Sequence, residues 1–92
     1  MEVEHVLQTV DEVKTFARKY GCPDTVVLEG PDYATAVVGI TDDYRLIYDF
    51  DKMVEYLAIT ADLEYDDAAE FIEFNTIGSL PIMGRHTPVI QD

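Results

Sequence analysis

The sequence predicts an α+β fold: an N-terminal helix, a three-stranded and mainly antiparallel sheet, two C-terminal helices and an extended tail. Three observations predict it. Apolar residues recur at helical spacing before residue 20 and again after residue 50. β-branched residues crowd the stretch between them, and Gly, Pro and Asp clusters punctuate the joins. At 92 residues the chain makes one domain, residues 1–92, with an expected radius of gyration of about 12 Å. An apolar fraction of 48% supplies its core.

Val3, Val6, Leu7, Val10, Val13, Phe16, Ala17 and Tyr20 fall three or four apart and share one helix face. Thr9 and Glu12 match a capping box, which puts the firm part of this helix from Val10 onward. Gly21, Cys22 and Pro23 end it, Gly21 as a left-handed cap and Pro23 as a residue that cannot continue. Thr25 to Leu28 reads as the first strand, followed by the turn cluster Glu29-Gly30-Pro31-Asp32. Thr35 to Thr41 and Arg45 to Asp49 read as two more, joined by the hairpin loop Asp42-Asp43-Tyr44. Gly39, inside a strand, marks a bulge or a close backbone approach.

The second half turns helical. Phe50, Met53, Val54, Leu57, Ala58 and Ala61 make a clean stripe, with Asp49 or Asp51 placed to cap it. A break at Asp62-Leu63-Glu64 leads to a further helix carrying Ala68, Ala69, Ile72 and Thr76. Asp66 and Asp67 lie in its first turn, where the helix dipole favours them, and Gly78 is its expected stop. Two prolines and a glycine between Leu80 and Ile90 predict an extended tail packed across the body.

Charge is the outlying quantity. Nineteen acids oppose six bases, a net charge of −13, and the self-repulsion this implies weakens the compact state. Three readings compete: general solubility, adaptation to a salty cytoplasm, and a surface matched to a basic partner. Asp outnumbers Glu and there are only three lysines, which keeps salt adaptation in play. Nucleic acid and anionic membranes are disfavoured as direct partners because their phosphates would be repelled. No apolar run is long enough to span a bilayer, and Met1-Glu2-Val3-Glu4-His5 lacks the basic and apolar regions of a secretory signal. The single cysteine, Cys22, fits a reducing compartment, so a cytoplasmic location is expected.

Catalytic groups are sparse. Cys22 as a nucleophile needs a base, and His5 and His86 are the only histidines; a small buried residue beside a helix end is the better account. No C-x-x-C or H-x-x-x-H pair suggests zinc, and the acid groups lack the alternating pattern of a calcium loop. There is no Gly-rich phosphate loop and no Ser-His-Asp set. The expectation is a protein without catalytic residues, metal or cofactor.

The run Tyr48-Asp49-Phe50-Asp51-Lys52-Met53-Val54-Glu55-Tyr56-Leu57 resembles a family of small uncharacterised prokaryotic proteins, some at home in phages and mobile elements. The resemblance continues through Asp67-Ala68-Ala69-Glu70-Phe71-Ile72-Glu73-Phe74-Asn75-Thr76-Ile77 and Leu80-Pro81-Ile82-Met83-Gly84, with a looser echo at Tyr20-Gly21-Cys22-Pro23-Asp24. It implies a helix, a short sheet and two acidic helices, and no activity. Three positions depart from its pattern: Tyr44 replaces a hairpin glycine, Glu64 a Ser or Thr cap, and Gly78 a basic residue.

Between Asp42 and Glu73 lie eleven acids against only Arg45 and Lys52. Asp66, Glu70 and Glu73 share one side of the last helix, and Asp51 and Glu55 do the same on the helix before it. The bland reading is two solvated helix faces. The sharper one is a phosphate-like array that competes for a protein's nucleic-acid groove. The candidate partner-binding residues are Asp42, Asp43, Asp51, Glu55, Asp62, Glu64, Asp66, Asp67, Glu70 and Glu73, with Tyr44, Tyr56 and Tyr65, tyrosine being common in interface cores. The leading expectation is thus an interaction protein for a basic, nucleic-acid-binding partner, of anti-CRISPR or similar anti-defence type. The alternative is a structural or regulatory module, homodimeric or not, whose acidity only reflects a salty cytoplasm.

Overall fold

The computed structural model describes residues 1–92, and the chain forms one α+β body with a radius of gyration of 12.4 Å. Helix α1 spans Val10–Tyr20, and the Thr9 hydroxyl accepts from the Glu12 amide at 3.2 Å, as the capping box predicts. Val3, Val6 and Leu7 do not join the helix, although they continue its apolar spacing. Residues 1–3 are instead drawn along the sheet edge: Ile40 N donates to Met1 O at 2.8 Å and Val3 N to Val38 O at 3.0 Å. An unsatisfied edge strand out-competes a helical turn that lies ahead of its own cap.

Strands β1 (Val37–Ile40) and β2 (Leu46–Asp49) form the expected antiparallel hairpin, and Tyr44 turns it with φ +64°. The register slips between Val37 and Gly39, so the expected bulge is present. A Cβ at Gly39 would stand 2.5 Å from Met1 O, which is why only glycine admits the N-terminal segment there.

The third strand is not the predicted one. Thr25 to Leu28 forms no ladder: Val26 N donates to His86 O at 3.4 Å and Leu28 N to the Tyr48 hydroxyl at 3.1 Å. The place beside β2 goes to β3 (Val89–Gln91), which pairs in parallel from Ile47↔Val89 to Asp49↔Gln91. The sheet order is β1-β2-β3, mixed rather than purely antiparallel.

Helix α2 (Phe50–Thr60) starts on Asp49, whose carboxylate accepts from Lys52 N at 3.0 Å. It ends through Asp62 at φ +54°, with Leu63 N reaching back to Ala58 O at 3.0 Å. Helix α3 (Tyr65–Phe71) widens into a π-turn over Ile72–Thr76 and tightens into a 3₁₀ helix over Ile77–Ile82. Gly78 is therefore no stop, and the tail becomes extended only at β3.

Gly21 ends α1, but not as a left-handed cap, since its φ is −108°. Its role is spatial. A Cβ there would lie 2.5 Å from both Ala17 O and the Thr25 hydroxyl.

Helix α1 packs on β1, α2 on β2 and α3 on α2. One core joins them: Val13 and Phe16 from α1, Val37, Ile40, Leu46 and Tyr48 from the sheet, Met53, Val54 and Leu57 from α2, and Ala68 and Ile72 from α3. At roughly 2 kcal/mol for each fully buried aliphatic side chain, this cluster is the main source of stability.

Candidate acidic interaction surface

All ten candidate acids are exposed, and the structure divides them into two groups. Asp42 and Asp43 sit at the hairpin tip, separated from the start of α2 by the length of β2, about 13 Å. Asp43 accepts from the Thr41 hydroxyl, and this bond, helped by the Arg45 and His86 charges, holds its carboxyl below the usual range. Tyr44 is exposed at the same tip, its carbonyl held by the Thr25 hydroxyl at 3.0 Å. Arg45 is tied to the tail through Nε to Thr87 O at 2.7 Å. The hairpin tip is thus a mixed-charge corner.

The second group lies on α2, α3 and the turn between them. From Asp51 to Glu73 it holds eight acids and one base, Lys52. Tyr65 ties the two helices together, its hydroxyl donating to Asp51 Oδ1 at 3.1 Å. That bond, with the charges of Asp51, Glu55 and Asp66, raises the phenol above its ordinary value. Three candidate carboxylates therefore act on one exposed ring. Asp67, Glu70 and Glu73 continue the face along α3, consecutive carboxylates on one side standing about 6 Å apart. Glu64 offers no side-chain cap to α3; only its carbonyl takes part, accepting from Ala68 N at 2.9 Å.

Tyr56 belongs elsewhere. It is half-buried, its ring 5.6 Å from that of Tyr33, and burial together with Asp32 pushes its phenol up. It packs against the core and also lines a shallow groove with Lys52, Glu55 and Ile59.

The charge of this face is not neutralised within the chain. The structure has one ion pair, Lys14 with Glu29 at 2.8 Å, on the α1 side of the molecule. None of the α2–α3 acids has a cation of its own.

Residues that the charge pattern did not select also lie here. Phe74 is 75% exposed and Phe71 38% exposed, and with Asp67, Glu70 and Asn75 they line one shallow depression. Ile59, at the end of α2, is 81% exposed. The available signal was positional: both phenylalanines fall off the Ala68, Ile72, Thr76 stripe of a helix that is otherwise acidic.

Cys22 is half-buried and hydrogen-bonded to the Thr25 hydroxyl, and the groove it lines with Lys14 and Arg18 contains no histidine. No three His, Cys, Asp or Glu side chains are grouped to hold a metal. No helix is long and apolar enough to cross a membrane.

Fold and surface together define a small α+β domain with an anionic, aromatic-studded helical face. No protein-family model, no curated protein and no solved structure matches this chain.

Proposed function

We propose that the chain acts by binding, without catalysis, and that its α2–α3 face docks on a basic surface of another protein. The concrete form is a mimic of nucleic-acid charge that occupies a nucleic-acid-binding groove, as an anti-defence inhibitor of phage or mobile-element type would. The observation that carries this reading is the run of eight exposed acids from Asp51 to Glu73 with no cation paired to any of them. Such a field speeds encounter with a cationic surface and makes binding salt-sensitive.

Salt adaptation accounts for the acids but gives no reason to expose Phe74 and Ile59 among them. Self-association through this face is opposed by like charge.

The test is capture of nucleic-acid-binding proteins on the immobilised chain at low and high salt, with duplex DNA as competitor. Basic proteins are expected to be held at low salt, then released by salt and by DNA. Recovery of no basic protein at low salt overturns the proposal.

A further inference from the structure

The π-turn decides which residue of the last helix returns to the core. In an unbroken α-helix the seventh residue after Ala68, Asn75, would return to the buried face. The wider turn over Ile72–Thr76 adds one residue to the repeat, so Thr76 returns instead and Asn75 stays exposed. Thr76 is held there by its hydroxyl, 3.3 Å from that of buried Tyr33. Phe74 lies on the outer side of this turn, away from the Ala68, Ile72, Thr76 stripe.

Phe74 gives up burial, and its helix neighbours Glu70 and Glu73 offer it no apolar cover. An exposed aromatic pair inside a ring of carboxylates has the make-up of a binding hot spot: apolar centre, polar rim. Charge selects the occupant. A second copy would set this acidic rim against its own like, and nucleic acid would be repelled. An uncharged apolar segment would strip water from the carboxylates without compensation. A segment with Arg or Lys flanking an apolar stripe satisfies both parts.

We propose that Phe74, with Phe71 beside it, is the apolar anchor of the acidic face, and that its occupant is a basic amphipathic helix of a partner protein. The inference rests on the binding reading above and adds what that reading lacks, a salt-insensitive part of the affinity. Carboxylates contribute a term that salt screens, whereas the ring contributes one that salt leaves in place.

The experiment uses two synthetic probes of equal charge: an oligoarginine peptide, and an amphipathic helical peptide with arginine on one face and leucine on the other. Both are titrated against the full chain and its Phe74→Ser, Phe74→Leu and Glu70→Lys variants. Since Phe74 is three-quarters exposed, its replacement is expected to leave the fold intact, which circular dichroism checks. The full chain should bind the amphipathic peptide more tightly. Phe74→Ser should weaken that peptide about tenfold, the loss expected of a hot-spot aromatic, and leave oligoarginine binding unchanged. Phe74→Leu should retain most of the affinity, and Glu70→Lys should weaken both peptides and flatten their salt dependence. Equal effects of Phe74→Ser on both probes, or none on either, overturn the anchor but leave the binding reading standing. Failure of the full chain to bind either peptide at low salt overturns both.

Discussion

Helices α1 and α3 are built to opposite rules. In α1, Thr9 caps the first turn, Asp11 and Glu12 follow it, and Arg18 and Lys19 occupy the last turn. Every charge there agrees with the helix dipole. Helix α3 has no side-chain cap and no base in its last turn, and Glu73 carries a negative charge into the π-turn that follows. Acids at that end oppose the dipole, and Glu70 and Glu73 repel one another. Stability explains the charges of α1 and, in α3, those of Asp66 and Asp67, but not those of Glu70 and Glu73. The binding proposal gives Glu70 and Glu73 a reason that helix stability does not.

The sharpest way to break the well-built side is alkaline titration. Tyr48 is fully buried in β2, its hydroxyl accepts from Leu28 N, and burial pushes its phenol up to about 12. The unfolded chain ionises this tyrosine near its ordinary value of about 10, whereas the folded chain keeps it neutral. Folding stability is therefore intact below pH 10 and falls as pH rises to about 12, by about 3 kcal/mol from Tyr48 alone. Burial shifts Tyr33 and Tyr56 in the same direction, so they add to the loss. Denaturant unfolding across this range measures it, and stability that stays flat to pH 12 would show Tyr48 is not held as described.

A smaller effect is expected at the α1 cap. Thr9→Ala removes the oxygen that accepts from Glu12 N and should cost about 1 kcal/mol, seen as a lower denaturant midpoint with an unchanged slope. No loss would mean that residues 1–3, paired along the sheet edge, hold the start of α1 without the cap.

These two features also show which parts of the fold are legible in sequence. Thr9 with Glu12, Asp49 before Phe50, and Gly39 within a strand each act on neighbours a few residues away, so local pattern reveals them. Thr25 to Leu28 has strand composition, but its amides are taken by the Tyr48 hydroxyl and by His86 O, partners twenty and sixty residues distant. The parallel pairing of Val89–Gln91 with β2 is equally non-local, and three residues carry too little pattern to announce it. The candidate surface divides the same way. Its carboxylates were readable because charge needs no fold to be exposed. Phe74 was legible only as a residue off the Ala68, Ile72, Thr76 stripe; its 75% exposure also requires that no other element cover it, which local pattern does not tell. Tyr56 is half-buried, its ring 5.6 Å from that of Tyr33, a non-local contact that spacing does not announce.

The smallest expected effect sharpens the contrast between the two helices most directly. Glu64 stands at the N-cap of α3 in extended geometry, with φ −67° and ψ 155°, so the backbone already suits a capping residue. A glutamate there is one methylene too long to return easily to the amides of the first turn, and its side chain makes no such bond. Glu64→Ser supplies a short acceptor in place and removes one of the charges crowded between Asp62 and Asp67. The new cap bond favours the fold, and relief of repulsion from Asp62, Asp66 and Asp67 offsets the lost dipole interaction of the Glu64 charge. The net gain is about 0.5–1 kcal/mol, which a raised melting temperature would report. If the α2–α3 face is a charge-matched docking surface, the more stable variant should also bind cationic protein more weakly and with a shallower salt dependence. Gain in stability joined to loss of binding would show that this end of α3 is held below its own optimum by the surface it presents. A gain in stability with binding unchanged would place Glu64 outside the contact and confine the surface to Asp51, Glu55, Tyr65 and the acids of α3.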